Sequence, residues 1–279
     1  MKKETAATDT KKKTVKKAVK KTVKKVVKPT ATSVANVGII TCKDLNKQFM
    51  GIKAIDNLSI SIPEAKTTGL IGPNGSGKTT LMNVLTGMIS PDSGEIMVRD
   101  KKRERIKSHE LRKYRIARTF QDGRLIEQLS VEDNLLLPVA ENTLISSLKE
   151  IKTDDYKKRM EKVLEITSLA KHRHKRAEEL SYGLRKLLEV GRVLMQDVDI
   201  YFFDEPFTGL FPEVVEQVCD IIGGLQKQGK TIVIIEHNMG LIKRLSDYII
   251  VLNHGALMAE GEPDDVLQNK DVREAYLGV

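Results

Sequence analysis

The 279-residue sequence has no long apolar run. Its longest candidates, Tyr248–Leu252 and Ile232–Ile235, are strand-sized, whereas a membrane-spanning helix needs roughly 18–20 apolar residues. Lysines follow Met1, but the apolar stretch of roughly 7–15 residues that marks a secretion signal does not follow them. Cysteine is scarce too, because only Cys42 and Cys219 occur. We therefore expect a cytoplasmic chain that does not cross a membrane by itself, with two reduced thiols rather than a disulfide.

The excess positive charge is confined to the start of the chain. The formal net charge is +9, but residues 1–28 hold twelve Lys, no Arg, one Glu and one Asp, which amounts to +10 and leaves −1 for the rest. This distribution does not look like a uniformly basic nucleic-acid-binding domain.

Residues 1–36 are predicted to be a Lys-rich tail and linker. Like charges repel, so a solvated, disordered tail is the first interpretation. A tail that docks on anionic lipid is the second, because four valines spaced four residues apart would form a narrow apolar stripe on a helix (Val15, Val19, Val23 and Val27). A nucleic-acid contact is the third, although residues 1–28 contain no aromatic side chain that could stack on a base.

Residues 37–279 are predicted to form one α/β domain. The predicted strands are Val37–Cys42, Leu58–Ile62, Thr67–Ile71, Ile200–Phe203, Thr231–Ile235 and Tyr248–Leu252. The predicted helices cover Lys78–Thr86, most of residues 130–180, and the stretch from Pro212 to Leu225. Strands that are apolar on both faces and separated by helices indicate a mainly parallel sheet covered on both sides. Polar clusters follow several strand ends, at the edge where open α/β sheets bind ligands.

A glycine-rich loop follows the third predicted strand directly. Gly72-Pro73-Asn74-Gly75-Ser76-Gly77-Lys78-Thr79 matches the P-loop pattern G-x-x-x-x-G-K-[ST], and Thr80 comes next in the predicted helix. Glycines let successive N–H groups point at phosphate oxygens, and the helix directs its positive end at the same anion. Lys78 is expected to reach the β- and γ-phosphates of a nucleotide, and the Thr79 hydroxyl to ligate Mg²⁺.

Two carboxylates follow the buried strand Ile200–Phe203, as in a Walker B motif. Asp204 can hold Mg²⁺ through its water shell, and Glu205 can orient or deprotonate an attacking water. His237 follows a neighbouring strand. A lone histidine is more often structural, but one at this edge can donate a hydrogen bond to the γ-phosphate. We therefore predict Glu205, His237 and Lys78 as the catalytic residues.

The motifs occur in a characteristic order: the P-loop, Gln121, Leu180-Ser181-Tyr182-Gly183, Asp204-Glu205 and His237. In this order the chain resembles, over roughly residues 37–279, the ATPase subunit of an ABC transporter. The resemblance implies a P-loop NTPase fold with a mainly parallel core sheet, an antiparallel β subdomain and a helical subdomain. It also implies ATP hydrolysis with Mg²⁺ by a head-to-tail dimer of ATPase subunits, either homodimer or heterodimer.

Four further site residues are implied by the same resemblance. The segment Leu180-Ser181-Tyr182-Gly183-Leu184 stands where the family has its LSGGQ signature. Ser181 and Gly183 of this signature would contact the γ-phosphate of ATP held by the partner subunit, although Ser181 alone would be an ordinary helix N-cap. Gln121 would contact Mg²⁺ or water and report to the membrane partner. Phe49 aligns with the aromatic residue that stacks on adenine, with core packing as the alternative.

A finer resemblance points to the ATPases of branched-chain amino acid importers. It is carried by Ile116-Ala117-Arg118-Thr119-Phe120-Gln121, Glu236-His237-Asn238-Met239, Ala259-Glu260-Gly261 and Ala275-Tyr276-Leu277-Gly278. The implied partners are two transmembrane permease subunits, and the implied location is the cytoplasmic face of the cell membrane. The alternatives are the ATPase of a lipopolysaccharide-type exporter and a soluble ABC ATPase acting on ribosomes or DNA. No specific nucleic acid is expected as a partner.

Two positions depart from the family pattern. Leu184 replaces the usual Gln of the signature, and Phe211 stands where Asp often follows Gly209-Leu210. Both lie outside the P-loop and the catalytic carboxylates, so we expect hydrolysis to survive and coupling across the dimer to be the property at risk.

Overall fold

The computed structural model describes residues 38–103, 105–119, 125–140 and 154–277. The predicted tail, residues 1–36, and Gln121 lie outside these ranges. Among the helices within them, none combines the length and the apolar character of a membrane span.

The described residues form two sheets and eight α-helices. The strands are β1 (Ile40–Phe49), β2 (Ile52–Ile62), β3 (Thr67–Ile71), β4 (Ser93–Val98), β5 (Lys101–Arg103), β6 (Ile116–Arg118), β7 (Ile200–Asp204), β8 (Thr231–Ile235), β9 (Tyr248–Asn253) and β10 (Ala256–Gly261). The helices are α1 (Lys78–Leu85), α2 (Val131–Ala140), α3 (Asp154–Ile166), α4 (Tyr182–Leu194), α5 (Pro212–Lys227), α6 (Met239–Leu245), α7 (Pro263–Gln268) and α8 (Lys270–Leu277). Short 3₁₀ turns cover Ser108–Tyr114, Ala170–His172 and Ala177–Glu179.

The larger sheet has six strands in the order β10-β9-β3-β8-β7-β6, and only the β9–β10 pair is antiparallel. Every residue of β3, β7 and β8 is buried, as expected for parallel strands covered on both faces. The strand that leads into the P-loop therefore lies inside the sheet, between β9 and β8.

Alternate residues of β7 face two different hydrophobic cores. Phe202 belongs to the core that contains Leu81 of α1, whereas Tyr201 and Phe203 belong to the core that contains Ile222 of α5. This two-sided packing fixes the strand end that carries Asp204 and Glu205.

The smaller sheet is antiparallel, in the order β2-β1-β4-β5, and helices α2, α3 and α4 share a separate hydrophobic core. These two regions and the parallel sheet confirm the predicted fold class. Strand β1 extends past the predicted end at Cys42 to Phe49. The extension was not predicted because this half of the strand is mostly polar and partly exposed, with Leu45 buried among Lys43, Asp44 and Gln48. Cys42 and Cys219 are both buried and unbonded.

Candidate active site

The P-loop is held tightly between two backbone segments. Gly75 and Gly77 have positive φ angles of 77° and 102°. A Cβ placed on Gly77 would lie 2.3 Å from the carbonyl oxygen of Ala54, and one on Gly72 would lie 2.2 Å from that of Leu252. Only glycine fits these two positions, because any side chain would collide with backbone that cannot yield.

Lys78 is the cation of this loop and is only 6% exposed. Its Nζ donates to the carbonyl oxygens of Gly72 at 2.7 Å and Pro73 at 3.1 Å. Burial lowers the pKa of Lys78, while the negative charges of Glu205 and Asp204 oppose that shift. The ammonium thus lies inside the loop with acceptors that a phosphate can replace.

The other P-loop side chains complete a polar cradle. Ser76 Oγ is buried and has no hydrogen-bond partner among the described residues, so it is available to an incoming phosphate. Asn74 and Thr79 are exposed, and Pro73 and Thr80 are half-buried.

The C-terminal helix α8 reaches the P-loop through one side chain. The N–H of Gly72 donates to the hydroxyl oxygen of Tyr276, 204 residues further along the chain. Burial raises the pKa of Tyr276 to about 12, which keeps the phenol neutral. Tyr276 lies in a segment that resembles the branched-chain amino acid importer ATPases, but its contact with Gly72 was not predicted. No local sequence pattern indicates which residue packs beside a loop so far away along the chain.

Phe49 lies at the tip of the β1–β2 hairpin. The turn residues Met50 and Gly51 both have positive φ, as in the tight two-residue hairpin turns that match strand twist. Phe49 is 46% exposed, with Lys47 Nζ 5.3 Å from the ring centroid. This exposure counts against the core-packing alternative.

Glu205 and His237, predicted separately, lie in direct contact. Glu205 Oε1 is 3.0 Å from His237 Nε2. Glu205 adopts a left-handed conformation with φ of 46°, and its N–H donates to the carbonyl oxygen of Ile235. A non-glycine residue held in that conformation is strained, and such strain is concentrated at functional sites.

Asp204 is buried immediately before them. Its Oδ2 accepts a hydrogen bond from Arg118 Nη2 at 2.9 Å, and its N–H donates to Thr119 Oγ1 at 3.0 Å. Burial raises the pKa of the Asp204 carboxyl, and the positive charge of Arg118 opposes the shift. Arg118 and Thr119 lie in the segment Ile116–Gln121 that resembles the family, but the sequence alone did not indicate that they contact Asp204.

Glu236 also has a role at the site that was not predicted from the sequence. Its buried carboxylate accepts from the backbone N–H groups of Phe207 at 3.3 Å, His237 at 2.8 Å and Asn238 at 3.3 Å. It therefore fixes the loop after β7 to the loop after β8. A carboxylate directly after the apolar strand Thr231–Ile235 was the available signal.

The signature residues lie at the start of helix α4. Ser181 caps α4 by accepting from the N–H of Leu184 at 3.4 Å, and a Cβ on Gly183 would lie 3.2 Å from Val214 Cγ2. Within the described ranges, no hydrogen bond joins Ser181 to the P-loop. Leu184 packs between two cores, whereas Phe211 is 76% exposed at the start of α5.

The donor set fits Mg²⁺ bound together with a nucleotide. Thr79 offers a hydroxyl and Asp204 a carboxylate, and such hard oxygen donors suit Mg²⁺, which needs only one or two carboxylates beside phosphate and water. In the ranges that the structure covers, no cluster of three or more His, Cys, Asp or Glu side chains could hold a metal alone.

Comparison with known proteins agrees with this geometry. Residues 55–208 match the ABC transporter family, and residues 256–279 match the branched-chain amino acid ATP-binding cassette transporter family. The high-affinity branched-chain amino acid transport ATP-binding protein LivG of Salmonella typhimurium is 34% identical over 251 residues, which cover 86% of this chain and 98% of LivG. The chain belongs to the ABC transporter ATPases.

Solved structures of ABC transporter ATPases share the fold. The ADP conformation of one ATP-binding cassette has a TM-score of 0.76 and 33% identity, covering 86% of this chain and 99% of that one. A dimeric bacterial ABC transporter cassette has a TM-score of 0.70 and 26% identity, covering 80% and 98%. As a member of this family, the chain is an ATP hydrolase, and cassettes of this kind dimerise and work with transmembrane permease subunits.

Proposed function

We propose that this chain is the ATP-hydrolysing subunit of an importer of branched-chain or related amino acids. In this proposal two such subunits act at the cytoplasmic face of the cell membrane with two permease subunits. The observation that carries the proposal is the match of residues 256–279 to the branched-chain amino acid transporters, together with the contact of Tyr276 from that segment to Gly72 of the P-loop. The segment that distinguishes this branch is thus tied directly to the nucleotide site.

The P-loop binds the phosphates of ATP. Lys78 exchanges the carbonyl oxygens of Gly72 and Pro73 for β- and γ-phosphate oxygens, and the buried Ser76 hydroxyl gains a partner. Phe49, exposed at the hairpin tip, stacks on the adenine. The phosphate-binding residues are Gly72, Pro73, Asn74, Gly75, Ser76, Gly77, Lys78, Thr79 and Thr80.

Hydrolysis requires a water in line with the γ-phosphate, and phosphoryl transfer depends mainly on positioning and charge stabilisation. Glu205 accepts a proton from the water while the water oxygen bonds to the γ-phosphorus. The bond between the γ-phosphorus and the ADP oxygen breaks at the same time. His237, 3.0 Å from Glu205, donates a hydrogen bond to the γ-phosphate. The contact between Glu205 and His237 holds the two side chains next to each other before ATP binds.

The metal site uses oxygen donors from three segments. When bound, Mg²⁺ neutralises charge on the β- and γ-phosphate oxygens. Thr79 would hold it directly, and Asp204 directly or through a bound water. Gln121, which lies outside the described residues, is the third proposed donor.

The second subunit completes each site. Ser181 and Gly183 contact the γ-phosphate of ATP on the partner's P-loop. This arrangement is supported by the exposure of Ser181 and by the lack of any hydrogen bond, within the described ranges, from Ser181 to the P-loop of its own chain. Phe211, the exposed N-cap residue of α5, and Leu184 then affect coupling between the subunits.

Reconstitution with the co-purified permease subunits tests the transport function. ATP-dependent uptake of radiolabelled leucine into liposomes that carry the complex is expected, together with loss of uptake in a Glu205→Gln complex. Extraction of lipid by the same complex without uptake would support the exporter alternative. Co-purification of ribosomes or DNA in place of a permease would support the soluble alternative.

The Lys-rich tail is proposed to attach weakly to anionic lipid. Twelve lysines provide the charge, and exposed charges are screened over roughly 8–10 Å at physiological salt. Binding of a peptide of residues 1–28 to anionic vesicles should fall steeply as salt rises, and binding to neutral vesicles should be negligible. Equal binding to both kinds of vesicle would refute electrostatic attachment, and much tighter binding to RNA at matched salt would favour a nucleic-acid contact.

A further inference from the structure

Arg118 and Asp204 form an ion pair inside the protein. Their side chains are only 5% and 1% exposed, and Arg118 Nη2 is 2.9 Å from Asp204 Oδ2. Burying two charges costs free energy that their attraction repays only with good geometry, and apolar replacements are often as stable. The burial of this pair therefore calls for a role besides stability.

The same guanidinium also bonds to helix α1. Arg118 Nη1 donates to Asn83 Oδ1 at 2.6 Å and to Thr86 Oγ1 at 2.8 Å. Asn83 lies in the helix whose first two residues are Lys78 and Thr79, and Thr86 is the C-cap residue of that helix. Arg118 thus connects the end of β7 to the helix that begins at the P-loop.

Thr119 strengthens this connection from the backbone side. Its carbonyl oxygen accepts from Arg118 Nε at 3.2 Å, and its hydroxyl oxygen accepts from the N–H of Asp204 at 3.0 Å. Arg118, the last residue of β6, and Thr119, which follows it, therefore hold the side chain and the backbone of Asp204.

We propose that Arg118 is a positioning residue of the Mg²⁺ site, which fixes the Asp204 carboxylate relative to Thr79 on α1. A guanidinium can bond to a carboxylate with one nitrogen and to helix side chains with another in a fixed plane, whereas a lysine ammonium is a point charge on a flexible stem. Outer partners of metal ligands orient those ligands and raise metal affinity. The inference rests on the proposed role of Asp204 and is independent of the transported substrate.

Binding of ADP to the full chain, measured by calorimetry in Mg²⁺ and in EDTA, tests the proposal without turnover. In Arg118→Lys, we expect the gain in ADP affinity that Mg²⁺ provides to fall about 10-fold or more, the usual cost of losing an outer partner. Affinity in EDTA should change less than about twofold, because the P-loop contacts remain. Arg115→Lys is the matched control, since Arg115 precedes the same strand and pairs with Asp199.

Two further variants separate the possible failures. Asp204→Asn should abolish most of the Mg²⁺-dependent gain, and an unchanged gain there would overturn the metal role of Asp204 itself. If Asp204→Asn loses the gain and Arg118→Lys keeps it, the positioning role of Arg118 is wrong. Equal losses in Mg²⁺ and EDTA in Arg118→Lys would indicate general damage and also overturn the proposal. If Arg118→Lys does not fold, Thr86→Val removes one acceptor of the guanidinium and should give a smaller loss confined to Mg²⁺.

Discussion

The parallel pair β6–β7 carries an arginine–aspartate ion pair at each end, and the two pairs lie in very different environments. At the start of the strands, Arg115 meets Asp199 at 2.7 Å with side chains 47% and 32% exposed. At the end, Arg118 meets Asp204 at 2.9 Å with both side chains buried. The exposed pair can exchange its bonds with water at little cost, whereas the buried pair cannot. The same two residue types thus form a solvent-exposed pair of small energetic weight at one end and a buried pair that includes the proposed Mg²⁺ ligand Asp204 at the other.

Substitutions at the two ends of the β6–β7 pair should differ most in their effect on ATP turnover. Glu205→Gln, next to the buried pair, should lower ATP turnover at least ~100-fold, since an amide cannot accept the proton from water. ATP binding should persist, and the variant should accumulate as an ATP-bound dimer on size-exclusion chromatography. Asp199→Asn at the other end is the control and should keep wild-type turnover. Wild-type ATPase rates in Glu205→Gln would remove Glu205 from the mechanism.

Stability at neutral pH should separate the two pairs next. Arg118→Met leaves the Asp204 carboxylate buried without its cation and should cost about 3–5 kcal/mol of unfolding free energy. Arg115→Met, the matched change at the exposed end, should cost less than about 1 kcal/mol. Urea unfolding of the nucleotide-free protein measures both values. Similar losses in the two variants would contradict the division into buried and exposed ends.

A neutral hydrogen bond at the same edge of the sheet should have an intermediate effect. Tyr276→Phe leaves the N–H of Gly72 without its acceptor, at a cost of roughly 1–3 kcal/mol if water does not replace the hydroxyl. We expect weaker ATP binding with little change in turnover at saturating ATP. Tyr156→Phe, in helix α3, is the control. Unchanged ATP affinity in Tyr276→Phe would show that α8 does not hold the P-loop.

Acid should reveal the smallest effect, at the exposed end. Hydrogen bonds from Arg115 lower the pKa of Asp199 from 3.8 to about 2. Because this pKa is lower in the folded state, its contribution to stability is present above pH 3.8 and is lost as the pH falls towards 2. Between those values Asp199→Asn should lose less stability than the wild type, by under about 1 kcal/mol given the exposure of the pair. Parallel acid dependence in the two proteins would contradict the assigned pKa.

Most of the fully buried strands were predictable from sequence, whereas a short strand and several half-exposed strands were missed. Strands β3 and β8 have the bounds that were predicted for them, and every residue of both strands is buried. Strand β6 was missed, because three residues give too little pattern, and β10 was missed because it is only partly buried. Antiparallel strands with one solvated face carry polar residues, so they lack the continuous apolar run by which a buried strand is predicted.

The candidate site shows the same division between local and distant information. The P-loop, Asp204 and Glu205 were predicted as site residues because each lies within one contiguous motif. The contacts of Arg118 to Asn83 and Asp204 join residues that are 35 and 86 positions apart, and only the folded sheet brings them together. Glu236 was visible as a carboxylate after a strand, but its three backbone partners could not be inferred without the loops that it joins.

The central position of β3 has a consequence for the order in which the site is assembled during synthesis. The N–H of Thr67 donates to Asp247, 180 residues later, and Gly72 is held by Tyr276, 204 residues later. Such distant pairing requires long loops to close before contacts are gained, and it slows folding. The P-loop therefore leaves the ribosome long before the strands and the helix that shape it. A growing chain is consequently expected to remain unable to hold ATP until β8, β9 and α8 have all been made.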